Sequence, residues 1–250
     1  MTDPICFSGS EERGIHLPAS LAAELTLGGP ISPQGLRSLL ELALAEPVSN
    51  MVFQAMVELY EGDRVLNGIG SGVWVCGSAR TKPGTKNYEL GVEVGAALAA
   101  AGFAVFTGGG PGAMEAANKG AKQNGGVSVG VGIVLPNEQQ FNLELTIKFL
   151  CKYFFIRKVL LTKHTEALVV LPGGNGSMDE LYEVLTLVQT KTIPPRPIVL
   201  VGRKYWKRVD AFSRKTMLPN GMISLGDPDL VKVVNTVGEV MDLMPKHAAS

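Results

Sequence analysis

A net charge is the first thing this 250-residue chain lacks: 23 Lys and Arg balance 23 Asp and Glu. Without an excess of either sign, no global field draws it to nucleic acid or to an anionic membrane. Small molecules, or further copies of itself, are the expected partners. Cysteine is scarce as well. Cys6, Cys76 and Cys151 lie far apart, in neither metal nor redox spacing, which fits a reducing compartment better than a disulfide scaffold and makes the cytoplasm the expected location. His16, His164 and His247 form no ligand cluster. No His-Glu-x-x-His, Walker-type Gly-x-x-x-x-Gly-Lys-Ser/Thr or Gly-x-Ser-x-Gly pattern occurs, so metal and serine hydrolysis lack their usual signatures. No apolar run approaches the ~18 residues of a membrane span, and the N-terminus has no basic-then-apolar leader.

What the chain has is an alternation of apolar runs and helical stretches. Residues 1 to about 32 are rich in Gly, Pro and Ser and read as a loosely ordered arm. Leu36, Leu39, Leu40, Ala43 and Leu44, and after Pro47 Val52, Phe53, Met56, Val57 and Tyr60, repeat at helical spacing and predict two helices. The arm and helices form an expected N-terminal extension over 1–70. From Gly72 onward Val73–Cys76, Phe103–Phe106, Val127–Leu135, Ala167–Leu171 and Ile198–Val201 read as strands. Helices are predicted near Tyr88–Ala100, Gly112–Gln123, Phe155–Lys163 and Ser177–Gln189. Continuous Val/Ile/Leu runs, rather than alternation, imply strands buried on both faces. The expected fold over 71–250 is therefore α/β, a doubly wound (Rossmann-like) parallel sheet flanked by helices, with ligands at the strand carboxyl ends.

Two glycine turns sit at such ends: Thr107-Gly108-Gly109-Gly110-Pro111-Gly112-Ala113-Met114-Glu115 and Leu171-Pro172-Gly173-Gly174-Asn175-Gly176-Ser177-Met178-Asp179-Glu180. A strand, a glycine turn and a helix start converge backbone N–H groups on an anion. Each turn is followed by a carboxylate expected one turn into its helix, Glu115 and Glu180. Gly108-x-Gly110-x-x-Ala113 formally meets a relaxed dinucleotide fingerprint, but it follows the second strand and Pro111 interrupts it, which weighs against NAD or FAD. The small residues after it (Ala113, Ala116, Ala117, Gly120, Ala121) could equally serve close packing alone. Ser177-x-x-Glu180 also reads as a local capping box. Such a box does not require three glycines among residues 173–176, whose entropic cost suggests close approach of a ligand. Arg157, in an otherwise apolar stretch, reads either as a surface residue or as a fork for a phosphate or leaving base. Val75-Cys76-Gly77-Ser78-Ala79-Arg80 is a third glycine/serine turn at a strand end. His164 is expected at a helix end, and Trp74 and Trp206 in the core or an interface.

These residues resemble the Lonely Guy (LOG) proteins, catalogued also as "possible lysine decarboxylases". The motif Pro-Gly-Gly-x-Gly-Thr-x-x-Glu matches Pro172 to Glu180, with Ser177 for threonine. Gly108 to Asn118 resembles the family's other signature, and Phe154-Phe155-Ile156-Arg157-Lys158 its Arg-Lys segment. The similarity runs from about Gly72 to about Gly226 and, with the N-terminal extension, is closer to the longer bacterial branch. The resemblance implies hydrolysis of a nucleoside 5′-monophosphate, such as a cytokinin ribotide or AMP, to a free base and ribose 5-phosphate. It implies Glu180 as general base, Arg157 orienting substrate or leaving base, and the 5′-phosphate on Gly173, Gly174, Gly176 and Ser177. Glu115 would meet the ribose hydroxyls, Ser78 and Arg80 would line the remaining pocket, and Gly77, Gly109, Gly110, Lys158 and Asn175 complete the expected binding set. No cofactor and no metal is required, and a homodimer or higher homo-oligomer is implied. A non-catalytic carrier of a nucleotide or of molybdenum cofactor is the alternative on the same sheet. Lysine decarboxylation is disfavoured, because it usually relies on pyridoxal phosphate on a Schiff-base lysine and only Lys119, on a helix flank, lies near either turn.

Overall fold

A computed structural model of the chain describes residues 32, 34, 35, 37, 38, 50–135 and 141–246. The expected arm and the apolar positions Leu36, Leu39, Leu40, Ala43 and Leu44 lie outside the described residues. The second expected N-terminal helix is α1, Asn50–Leu66. The chain divides into two compact units, Met1–Val57 and Glu58–Ser250.

In the second unit the elements run β1 (Gly72–Cys76), α2 (Lys86–Ala100), β2 (Ala104–Thr107), α3 (Ala113–Gln123), β3 (Ser128–Ile133) and β4 (Ile147–Cys151). They continue with α4 (Phe154–Lys163), β5 (Ala167–Val170), α5 (Asn175–Gln189), β6 (Ile198–Val201), α6 (Arg203–Phe212), β7 (Val231–Val234) and α7 (Val237–Asp242). The strands form one seven-stranded sheet in the order β4-β3-β2-β1-β5-β6-β7. Every pairing is parallel. This is the doubly wound α/β architecture that the sequence predicts.

The five expected strands form close to their expected bounds, with β3 two residues shorter at its C-terminal end and one at its N-terminal end, and as formed they are fully buried, as continuous apolar runs require. The sequence reading misses β4 and β7 because they are the sheet edges. There half-buried and exposed positions alternate, placing Lys148 and Lys232 outside, so no apolar run marks them.

Strand side chains alternate between faces. Val73, Val75, Val105, Val169, Val199 and Val201 pack with Val94 and Leu98 of α2, Ala117 and Ala121 of α3, and Val240 of α7. Helices α4, α5 and α6 pack on the sheet from β3 to β7, burying Leu160, Leu161, Leu181, Val184 and Trp206; Trp74 is also buried. The small residues of α3 bring it against α2 as well as the sheet. A Cβ on Gly95 would collide with the Ala117 backbone, and one on Gly120 with the Val92 carbonyl. Chain direction across the sheet reverses between β1 and β5, where ligand crevices form in such sheets.

Candidate functional site

Three turns meet at that reversal. Ser78 N donates to the Pro172 carbonyl (3.2 Å) and Ala113 N to the Ser78 carbonyl (3.0 Å), so the turn after β1 is sewn to both glycine turns. Gly77 lies against Ala113 and Leu171, and its Cα lies beside Gly173. The structure thus brings Gly77 and Ser78 to the point where the two turns meet.

The helices after those turns begin in an unusual way. The starts of the other helices of the sheet are each met by a side chain. Thr85 accepts from Tyr88 N at α2, and Thr236 forms a capping box with Glu239 at α7. Glu58 accepts from Lys152 N (2.9 Å) and Tyr153 N (3.3 Å) at α4, and Asn235 accepts from Arg203 N (2.9 Å) at α6. Helices α3 and α5 begin on glycine (Gly112, Gly174) with no side-chain cap; α6 also begins on an uncapped glycine, Gly202, but its first amide is held by Asn235. The orphan first-turn donors and positive dipole ends of α3 and α5 are what an anion completes.

The capping-box reading of Ser177-x-x-Glu180 does not hold. Helix α5 starts two residues earlier than the sequence suggests, so Ser177 sits inside the first turn and Glu180 in the second turn, beyond the expected one-turn offset. Glu180 instead reaches Arg157 of α4: Arg157 Nη2 donates to Glu180 Oε1 at 2.5 Å. Both residues are more than nine-tenths buried. The surface alternative for Arg157 therefore falls away. Its guanidinium also lies against Gly108, where a Cβ would collide with Nη2, so the first turn, Arg157 and Glu180 are contiguous. Arg157 Nε is buried with no hydrogen-bond partner among the described residues, a donor held in reserve for a ligand.

Burial raises the Glu180 carboxyl above its ordinary 4.5, opposed by Arg157 and by a hydrogen bond from the Cys76 thiol. The thiol of Cys76, at the end of β1, is itself pushed far up by burial and by the neighbouring Glu180, so it is a neutral donor. Glu115, in the first turn of α3, accepts from Tyr88 Oη (3.2 Å) and is partly exposed. Burial, then Glu115, pushes the Tyr88 phenol up to about 12.

The other expected residues divide by place. Ser78 and Arg80 share an open hollow of about 470 Å³ with Lys82, Thr85, Gly173 and Tyr205. Lys158 is committed to Asp179 (3.3 Å) and to Glu183, the carboxylates flanking Glu180 in sequence. Lys119 lies over the Tyr88 ring, 5.8 Å from its centroid. His164 closes α4, as expected, and bonds Asp63 at 2.8 Å.

Sequence reasoning misses a polar network beneath the first turn. Thr107 Oγ1 donates to Asn118 Oδ1 (2.6 Å), Asn118 Nδ2 to Ser128 Oγ (2.9 Å), and Asn142 Nδ2 to Asn118 Oδ1 (3.0 Å). Asn118, wholly buried in a small-sided helix, was the available signal, since a buried amide needs partners.

Residues 114–244 match the family described as "Possible lysine decarboxylase". The chain is 31% identical over 157 residues to a cytokinin riboside 5′-monophosphate phosphoribohydrolase of Mycobacterium tuberculosis, covering 61% of this chain and 82% of that protein. It is 26% identical over 178 residues to an Arabidopsis thaliana protein of the same name, covering 69% and 80% respectively. Among solved structures, the molybdenum cofactor carrier protein of Chlamydomonas reinhardtii matches with a TM-score of 0.53 at 24% identity, over 69% of this chain and 94% of that one, a likeness of fold alone.

Proposed function

The chain belongs to the Lonely Guy, or "Possible lysine decarboxylase", family, and from that premise we propose that it hydrolyses the N-glycosidic bond of a nucleoside 5′-monophosphate, releasing a free base and ribose 5-phosphate. The observation that carries the reading is the buried Arg157–Glu180 pair, set beside two helix starts that no side chain caps.

The uncapped amides of Gly176 and Ser177 receive the 5′-phosphate, and Glu115 the ribose hydroxyls. As the C1′–N bond lengthens, positive charge develops on the ribose ring and the Glu180 carboxylate stabilises it. Water attacks C1′, its oxygen forming the new bond while Glu180 takes one of its protons. The bonding pair leaves with the base, which takes up the proton that Glu180 received, so the carboxylate is restored. A carboxyl raised by burial is a stronger base than an exposed one. Arg157 orients Glu180 and offers its unpaired Nε to the ligand.

A homodimer belongs to the same proposal. Phe154, Phe155 and Val159 of α4, the helix that carries Arg157, are exposed apolar side chains, which a second copy would cover beside the site. Light scattering that reports a monomer overturns this part.

Chromatography of reactions with AMP and with isopentenyladenosine monophosphate tests the activity. Free base from either, lost in Glu180→Gln, is the expected result. Tight nucleotide binding with no base released from either would overturn the hydrolase in favour of a carrier.

A further inference from the structure

Backbone amides serve an anion only if the peptide planes that carry them are aimed, and a glycine turn is the least rigid place to aim them. In a planar trans peptide the carbonyl and the following N–H point in opposite directions, so holding one fixes the other. Both glycine turns are held in this way, by residues outside their motifs.

At the first turn, Asn142 N donates to the Gly109 carbonyl at 2.8 Å, which turns the Gly110 N–H away from Asn142. Its side-chain amide donates to the Gly110 carbonyl (3.0 Å) and to Asn118 Oδ1 (3.0 Å), while Asn142 Oδ1 accepts from Glu144 N (3.0 Å). Asn142 therefore has little freedom. At the second turn, Tyr205 Oη donates to the Gly173 carbonyl at 2.6 Å, which turns the Gly174 N–H away from the phenol. Tyr205 is itself steadied edge-on by Trp206, 5.0 Å between centroids, and Trp206 Nε1 donates to the Val201 carbonyl (3.1 Å). The two residues come from opposite sides of the reversal between β1 and β5, Asn142 between β3 and β4 and Tyr205 after β6.

We propose that Asn142 and Tyr205 are paired positioning residues, which hold the carbonyls of Gly109 and Gly173 so that the amides of Gly110 and Gly174 face a bound sugar phosphate. The inference rests on the sugar-phosphate site proposed above, and not on the hydrolysis itself.

Ribose 5-phosphate is the probe, with binding followed by calorimetry and by the amide resonances of Gly110 and Gly174. Tyr205→Phe deletes one hydroxyl from a half-exposed ring; Asn142→Leu removes the side-chain bonds to Gly110, Asn118 and Glu144 that fix Asn142, and so loosens the backbone N–H that holds the Gly109 carbonyl. Each variant is expected to weaken binding about tenfold, the effect of a lost hydrogen bond at a preorganised site. The ligand-induced shift of the Gly174 amide should shrink in Tyr205→Phe, and that of Gly110 in Asn142→Leu. The thermal midpoint of ligand-free Tyr205→Phe should stay close to that of the unaltered protein, separating aim from stability. Dissociation constants within twofold of the unaltered protein, with unchanged amide shifts, overturn the inference and leave the hydrolase reading intact. Binding without base release sinks only the hydrolase, and no binding by the unaltered protein sinks both.

Discussion

The two glycine turns look alike in sequence but use glycine for opposite reasons. In the first, the surrounding protein forbids a side chain. Gly109 and Gly112 have φ of +70° and +73°, a Cβ on Gly112 would meet the Ser78 carbonyl, and one on Gly108 would meet Arg157 and Met114. In the second, Gly174 and Gly176 have no atom within 4 Å of where a Cβ would stand, and neither has a positive φ. Packing explains the first turn. No packing contact explains the glycines at 174 and 176, whose open side is the space the proposed sugar phosphate would take. The carboxylates differ in parallel: Glu180 is buried against a guanidinium, whereas Glu115 shares a phenol near solvent.

The largest test of that contrast exchanges the two carboxylates for amides. Glu180→Gln is expected to lower the turnover of AMP by roughly 10²–10⁴-fold, the usual range for a general base. Glu115→Gln should act about tenfold, and chiefly on KM, as the loss of a hydrogen-bonding contact to the ribose would. Equal effects in steady-state kinetics would erase the distinction drawn between them. Next comes Gly108→Ala, whose methyl must displace the Arg157 guanidinium from Glu180. A loss of about 10²-fold in kcat is expected, the order associated with a misplacement near 1 Å.

A smaller and more discriminating pair follows. Gly176→Ala should raise the thermal midpoint, because alanine in a first helical turn is better than glycine by roughly 0.5–1 kcal/mol, while KM rises about tenfold as the methyl enters ligand space. Gly112→Ala should lower the midpoint, since its left-handed backbone alone costs about 1–2 kcal/mol. Midpoints that move in the same direction would contradict the two uses of glycine.

The smallest effect lies in pH. Burial raises the Glu180 carboxyl, so between its unfolded and folded pKa values the folded state holds more protons, and stability declines as pH rises through that interval. Urea midpoints measured between about pH 4 and 7 should show this decline in the unaltered protein and in Glu115→Gln. It should disappear in Glu180→Gln.

Legibility in the sequence followed burial. Strands covered on both faces, such as Val73–Cys76 and Ile198–Val201, announce themselves as unbroken apolar runs; β4 and β7 do not, because an edge needs only every second residue inside. Within the site, Arg157, Glu180 and the glycines were legible because each lies in a short local pattern. Asn142 and Tyr205 were not, because what gives them meaning is a partner 32 residues away in each case, Gly110 and Gly173. The capping-box reading of Ser177 failed for the same reason: Glu180 answers to Arg157, 23 residues earlier in the chain.

Helix α4 is gripped at both ends by a single stretch of α1. Glu58 holds the amides at its start, Asp63 holds Lys163 and His164 at its finish, and Gly62 between them leaves room for Leu160 and Phe149. Those few residues act as a splint for the helix that carries Arg157. A chain shortened to begin at Glu58 would keep the splint, whereas one begun at Gly72 would retain every motif and still let the guanidinium drift.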